Sequence, residues 1–178
     1  PGIESDDPLI LDYAAKVASG ETNPYTIARL LFSDIGLKLT YDADYDGEYS
    51  AVQALLSKRG DCNQYVYLFV ASLRSLGIPA RWYSGYLYLP QEHSAAPYLT
   101  ANGNLNGDEM RHIWAEVYIP NCGWIVVDPT YSYTAMIEGT SQKLVDWDKF
   151  AHIGRDERHI MLNEGANVVD KIQYTYDS

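Results

Sequence analysis

The sequence predicts an α+β fold in which several helices precede an antiparallel β-sheet. As far as Leu76, apolar residues recur at the three- and four-residue spacing of amphipathic helices. Beyond that point the pattern changes to short runs rich in β-branched and aromatic residues, which are typical of strands. Helices followed by strands favour the α+β class, and 178 residues fit one domain, so we expect residues 1–178 to form a single domain.

Two helices are predicted at the start of the chain. Asp7 and Asn23 are good N-cap residues, and each is followed by a proline, which is favoured at the first helical position. Gly20 and Gly36 are predicted to end these helices. The apolar stripes consist of Leu9, Ile10, Tyr13, Ala14 and Val17 in the first helix and of Ile27, Leu30, Leu31 and Ile35 in the second. We expect the two helices to pack together.

A short helix at residues 50–58 and a longer one after Asp61 follow. Gly60 separates them, and Asp61 is a suitable N-cap for the longer helix. The apolar stripe of the longer helix consists of Val66, Phe69, Val70, Leu73 and Leu76. Residues 77–79, Gly-Ile-Pro, are predicted to end it. Cys62 therefore belongs to the first turn of a well-buried helix.

The second half of the chain contains the predicted sheet. The strand-like runs are residues 81–89, 111–119, 123–128, 158–162 and 168–176. A polar loop rich in Gly and Asn at residues 90–110 is long enough to suggest the rim of an active site. We therefore expect this loop to border an active site.

Composition narrows the classes of function. Apolar residues make up 47% of the chain and aromatic residues 13%, as in globular proteins. The net charge of −11 argues against nucleic acid as a partner, because phosphate binding needs clustered Lys and Arg. No apolar run reaches the roughly 18 residues of a membrane span, so we expect no membrane insertion of this segment.

His112 and Asp128 lie on two neighbouring strand-like runs that a turn at residues 120–123 joins. Alternation puts His112 on the polar face of its strand, opposite the apolar face that includes Ile113. A symmetric turn does not pair His112 directly with Asp128, so a bulge or a diagonal contact is needed to bring them together. We expect the two side chains to lie close to each other.

Cys62, His112 and Asp128 are the candidate catalytic residues. The macrodipole of a helix favours a thiolate at its N-terminus, an imidazole can hold the thiol proton, and a carboxylate can orient the imidazole. Cys62 is then the nucleophile, His112 the general acid and base, and Asp128 the orienting group. The backbone N–H of Cys62 is a natural donor to an oxyanion.

Two segments of the chain resemble a known family. "GDCNQYVYLFVASLRSLGIPARWYSGYLY" and "HIWAEVYIPNCGWIVVDPT" are similar to the core of the transglutaminase-like superfamily, with the closest match at residues 50–131. The resemblance implies a papain-like Cys-His-Asp thiol enzyme of the bacterial or archaeal type, with the nucleophile helix packed on an antiparallel sheet. It also implies a second oxyanion donor from an upstream side chain, for which Gln53, Tyr45 and Tyr49 are candidates.

The resemblance leaves the reaction open. We expect a Cys62 acyl-enzyme formed from a protein or peptide substrate, and hydrolysis is favoured because water is the default acceptor. A cross-linking acyltransferase that uses glutamine and an amine is the alternative. A non-catalytic binding module on the same fold is a third interpretation, and a disulfide between Cys62 and Cys122 would favour it. The acidic composition fits an extracytoplasmic domain of a larger microbial protein.

Two further motifs suggest other functions, cell adhesion and calcium binding. The "RGD" at residues 59–61 matches an adhesion tripeptide, but that function needs an exposed flexible loop, whereas Asp61 is predicted to cap a helix. The stretch "DADYDGEYSAVQ" at residues 42–53 imitates a calcium loop but has Gln53 where the bidentate glutamate belongs.

No metal or cofactor is expected, and weak calcium binding at the 42–53 loop is left open. The histidines outside the candidate site are His93, His152 and His159. They show no ligand spacing with cysteines or carboxylates.

Overall fold

The computed structural model describes residues 2–87, 111–152 and 159–164, and these residues have the expected α+β class. Four α-helices occur in these ranges: α1 (Pro8–Ala18), α2 (Pro24–Lys38), α3 (Ala51–Ser57) and α4 (Cys62–Ser75); a short 3-10 helix spans Trp147–Lys149. The short strands β1 (Thr40–Tyr41) and β2 (Arg59–Gly60) pair in parallel. The remaining strands are β3 (Ala80–Leu87), β4 (Arg111–Ile119), β5 (Gly123–Val127), β6 (Ser132–Ile137), β7 (Thr140–Val145), β8 (Phe150–His152) and β9 (His159–Glu164).

Five of these strands form one antiparallel sheet in the order β8-β5-β4-β3-β9. β4 lies at its centre, where Ala115 pairs with Trp82 on one side and with Val127 on the other. The first four predicted strand runs correspond to β3, β4, β5 and β9. The predicted strand at 168–176 and the predicted rim loop at 90–110 lie outside the described residues.

The helix caps follow the sequence pattern closely. Asp7, Asn23, Ser50 and Asp61 are the N-caps of the four helices, and each accepts a backbone N–H from the first turn. The prediction that Gly36 ends its helix is wrong, because α2 continues to Lys38. A side chain at position 36 would place its Cβ 2.6 Å from Val145 Cγ1, so this glycine permits close packing inside the helix.

The core lies between α4 and the sheet. Six large apolar side chains of α4 have no exposed surface: Tyr65, Val66, Leu68, Phe69, Val70 and Leu73. Ala115, Val117 and Val127 of the two central strands are also fully buried. Complete burial of an apolar side chain contributes about 1.5–3 kcal/mol. The packing of α4 against the central strands therefore fixes where the α4 N-terminus lies relative to the sheet.

The hairpin of β6 and β7 has no counterpart among the predicted strands. It turns at Glu138 and Gly139, both with positive φ, and only Val145 of β7 is buried. Because most of the hairpin is exposed, it lacks the apolar alternation that identifies a strand in sequence. Its Lys143 Nζ donates a hydrogen bond to the Leu39 carbonyl, which also accepts one from Tyr65 Oη at 2.8 Å.

None of the helices in residues 2–87 and 111–152 is both long enough and apolar enough to cross a bilayer.

Candidate active site

Cys62 is the first residue of α4, and its position depends on a capping box. Asp61 Oδ1 accepts the N–H of Asn63 at 2.7 Å, and the N–H of Asp61 donates to Gln64 Oε1 at 3.3 Å. The N–H groups of a first helical turn have no acceptor within the helix. The Cys62 N–H can therefore serve a ligand, while its thiol is largely buried, with 9% exposure.

Gln64 is a part of this site that sequence reasoning missed. Its side chain is fully buried, and its Nε2 donates to the Glu48 carbonyl at 3.2 Å, which ties the loop before α3 to the start of α4. A Cβ at Gly60 would lie 2.4 Å from the Gln64 side chain, which explains the glycine there. The signal was present in the sequence, because Asp-x-x-Gln is a capping-box pattern.

His112 and Asp128 are joined by a short hydrogen bond between Nε2 and Oδ2 at 2.6 Å. The pairing of Ala115 with Val127 puts Asp128 in line with Trp114, two residues away from His112. The contact is therefore the diagonal one. Asp128 is fixed at two more points, because Thr130 N–H donates to its Oδ1 at 3.2 Å and its own N–H donates to the Lys149 carbonyl at 2.9 Å.

The charge of Asp128 controls the protonation of His112. Burial lowers the pKa of His112, but the Asp128 carboxylate and its hydrogen bond, together with a hydrogen bond and charge interaction with Cys62, raise it to about 10. These interactions favour the imidazolium, which lies between the Asp128 carboxylate and the Cys62 sulfur. Because Nε2 is bound to Asp128, Nδ1 is the nitrogen left for Cys62. The structure therefore brings the three predicted site residues together in one buried row.

The sheet face around His112 differs from the prediction. It was expected to be polar, yet His112 is 9% exposed and Trp114 only 3%. The Trp114 ring stacks on Tyr83 of β3, with ring centroids 6.3 Å apart. The imidazole consequently lies in aromatic surroundings, where charge interactions are stronger than in water.

The predicted candidates for the second oxyanion donor lie in different places. Tyr49 Oη donates to Asp61 Oδ2 at 3.4 Å, beside the start of α4. Tyr45 Oη instead donates to the Glu48 carbonyl, and Gln53 belongs to α3. Burial, followed by the charges of Asp61 and Cys62, raises the pKa of Tyr49. Tyr49 is the candidate whose side chain contacts the N-cap of the Cys62 helix.

Both cysteines lie in the described residues and both are free. Cys62 is buried at the start of α4, whereas Cys122 is exposed in the turn between β4 and β5. No disulfide therefore blocks the Cys62 sulfur. The adhesion interpretation of residues 59–61 also fails structurally, because Gly60 is buried in β2 and Asp61 is engaged as a cap.

The acidic loop at residues 42–53 is held by a salt bridge. Asp42 Oδ2 contacts Arg59 Nη2 at 2.6 Å, which occupies the carboxylate that would open a calcium loop. Within residues 2–87, 111–152 and 159–164 no three His, Cys, Asp or Glu side chains gather as metal ligands would. His93 and the side chains of His152 and His159 are outside what the structure describes.

Solved structures support the same architecture. A candidate cysteine protease from Cytophaga hutchinsonii aligns over 99% of this chain and 56% of its own, with a TM-score of 0.55 at 22% identity. The periplasmic domain of TgpA from Pseudomonas aeruginosa aligns over 70% of this chain and 44% of its own, with a TM-score of 0.53 at 25% identity. The chain has a papain-like, transglutaminase-like fold.

Sequence comparison leads to the family. An uncharacterized protein of Bacillus subtilis, YebA, is 36% identical over 51% of this chain, and one of Haemophilus influenzae is 28% identical over 72%. The chain spans only 12% and 37% of the lengths of these two relatives. The model of the transglutaminase-like superfamily matches residues 11–129, about two thirds of the chain. The chain therefore belongs to the transglutaminase-like superfamily.

Proposed function

We propose that the chain is a thiol hydrolase that cleaves peptide or amide bonds through an acyl-enzyme on Cys62. The observation that supports the proposal is the buried hydrogen bond between Asp128 and His112, together with the interaction of the same imidazole with Cys62. Such an arrangement stores the thiol proton on the imidazole and leaves a thiolate. In this proposal Cys62 is the nucleophile, His112 the general acid and base, and Asp128 the orienting group.

Acylation begins when the Cys62 sulfur attacks the carbonyl carbon of the substrate and forms a C–S bond. Negative charge develops on the carbonyl oxygen, and the Cys62 N–H at the start of α4 is positioned to stabilise it. The C–N bond then breaks, and the imidazolium of His112 gives its proton to the leaving amine. Asp128 keeps the imidazole in the required orientation throughout.

Deacylation decides the class of reaction. Neutral His112 removes a proton from water, which attacks the thioester carbon, releases the acid and restores the thiol proton to the Cys62–His112 pair. A primary amine that attacks instead gives a new amide, which is the cross-linking outcome. We favour water because no feature of the described residues recognises an amine, and the mechanism requires no metal or cofactor.

The test follows both products from one reaction. The protein is incubated with casein and a fluorescent primary amine, and peptide release is compared with amine incorporation, with Cys62→Ala as the control. We expect fragments that depend on Cys62. Amine incorporation as the dominant product would make the chain an acyltransferase. Neither product, with an unreactive Cys62, would favour the binding-module interpretation.

The substrate and the location are also proposals. We propose a protein or peptide substrate because the neighbour from Cytophaga hutchinsonii is described as a candidate cysteine protease. We propose an extracytoplasmic location because the TgpA domain is periplasmic. Fractionation of the native host, with the chain detected by antibody, tests the second point; recovery with cytoplasmic markers would contradict it.

A further inference from the structure

Tyr131 lies against the imidazole of His112. The two rings meet edge to face, with centroids 5.9 Å apart and an angle of 63° between their planes. Tyr131 follows Asp128 by three residues, so the chain segment that carries the carboxylate also carries this ring. One aromatic side chain thus contacts the imidazole in addition to Asp128 and Cys62.

Lys149 holds the same segment at two points. Its Nζ lies 4.5 Å from the centre of the Tyr131 ring, within the range of a cation–π interaction. Its carbonyl accepts the N–H of Asp128 at 2.9 Å. A single residue at the entry to β8 therefore contacts both the backbone of the orienting carboxylate and the ring beside the imidazole.

We propose that Tyr131, held in place by Lys149, is a positioning residue that keeps the His112 ring aligned with Cys62. This inference rests on the proposed function, since it assigns a role in the same reaction. Asp128 and Cys62 engage the imidazole at its nitrogens, and because the second torsion of histidine is soft, a further contact on the ring adds restraint. The edge-to-face contact with Tyr131 provides this restraint.

The charged groups around His112 must be known before a role of the Tyr131 ring can be distinguished from a purely electrostatic effect. Asp128 and Cys62 contact the imidazole directly, and Lys149 lies beyond Tyr131. Arg111 precedes His112 in β4. Tyr49 and Tyr67 interact electrostatically with both Asp61 and Cys62. Removal of the Lys149 ammonium also takes a positive charge away from the Cys62–His112 pair, which can slow the reaction through charge alone. The comparison of Tyr131→Leu with Tyr131→Phe changes no charge, so it separates the ring from the charge.

The experiment measures alkylation of Cys62 by iodoacetamide in a Cys122→Ser background, at pH 6.5 and at pH 9.5. At pH 6.5 an unassisted thiol is mostly protonated, so the ratio of the two rates reports the help from His112. The variants are Tyr131→Leu with Tyr131→Phe as its control, and Lys149→Met with Lys149→Arg as its control. Each control keeps the aromatic ring or the cation that the proposal requires.

We expect Tyr131→Leu to lower the rate at pH 6.5 about tenfold and Lys149→Met to lower it about two- to fivefold, in line with the strengths of aromatic and cation–π contacts. Both rates at pH 9.5 should change much less. Tyr131→Phe and Lys149→Arg should stay within about twofold of the parent, since both contacts persist in them. Circular dichroism establishes that each variant is folded.

Three results would overturn the inference. These are an unchanged rate ratio in Tyr131→Leu, a loss in Tyr131→Phe as large as in Tyr131→Leu, and a faster reaction in Lys149→Met. If Tyr131→Leu does not fold, Tyr131→Met takes its place in the comparison with Tyr131→Phe. Failure of the proposed function gives a different pattern, because the parent would then react no faster at pH 6.5 than a His112→Gln variant.

Discussion

The start of α4 and the turn between β4 and β5 each carry one cysteine, and the two thiols are in opposite surroundings. Cys62 is buried behind a capping box and hydrogen-bonds an imidazolium, whereas Cys122 is exposed in a turn where Asn121 and Gly123 have positive φ. Each cysteine has a glycine close by in sequence. A cysteine thus becomes reactive through its neighbours, and four experiments test the difference between these two thiols.

The largest effect is expected from removal of the Cys62 sulfur. Cys62→Ala should lower turnover on the order of 10⁶-fold, the size of effect seen when a nucleophile is deleted, while Cys122→Ala should leave it unchanged. The measurement is the initial rate of peptide release from casein. A Cys62→Ala variant that retains a tenth of the activity would exclude the acyl-enzyme mechanism.

The next effect concerns the imidazole. His112→Gln should lower kcat by about 10²–10⁴-fold, because it removes the general acid and base. In the same protein the alkylation rate of Cys122 should not change. That thiol is exposed in the β4–β5 turn, whereas His112 lies at the opposite end of β4. Peptide mapping of the alkylated protein follows both sulfurs at once. Equal slowing at both sites would indicate a general loss of structure.

Asp128→Asn tests the electrostatics of the pair. The variant should be about 10²-fold slower, and NMR titration of the His112 ring should show its midpoint move from about 10 down toward the ordinary value of about 6.5. Proton binding to His112 stabilises the native state fully below pH 6.5, and this contribution is lost as the pH rises toward 10.

The difference in the free energy of unfolding between wild type and Asp128→Asn should therefore be largest below about pH 6.5 and shrink steadily as the pH rises from there toward about 10. Urea unfolding at several pH values measures it. A difference that grows with pH would contradict the assignment of the raised pKa to Asp128.

The smallest effects distinguish the two glycines. Gly60→Ala forces a Cβ against the buried Gln64 and should destabilise the fold by about 1–3 kcal/mol, with slower alkylation of Cys62. Gly123→Ala meets no neighbouring atom but must adopt φ +86°, so we expect a cost of about 1–2 kcal/mol and an unchanged Cys62. Chemical denaturation and iodoacetamide rates compare the two variants.

Much of this site was predictable because its signals are local. Asp61 as a cap and the apolar stripe behind it identify the Cys62 helix from consecutive residues. The turn at residues 120–123 relates His112 to Asp128 through the chain alone. The sequence left a bulge or a diagonal contact open, and the pairing of Ala115 with Val127 makes it the diagonal one.

What could not be predicted depends on residues distant in sequence. Gly36 continues α2 because of Val145, and Gln64 reaches the carbonyl of Glu48. No periodic pattern in the sequence predicts the contact between Tyr131 and His112. The extent of the domain over 1–178 stays a prediction, since the family match covers residues 11–129, as does the absence of a cofactor.

The Leu39 carbonyl, at the end of α2, joins three elements through two hydrogen bonds. Tyr65 of α4 donates one and Lys143 of the β6–β7 hairpin donates the other, so the mostly exposed hairpin is anchored to the helix that begins with Cys62. Opening the hairpin would leave this acceptor with a single donor beside the core. We expect amide hydrogen exchange in the second half of β7 and in α4 to share one cooperative opening event, whereas the tip at Glu138 exchanges by local fraying.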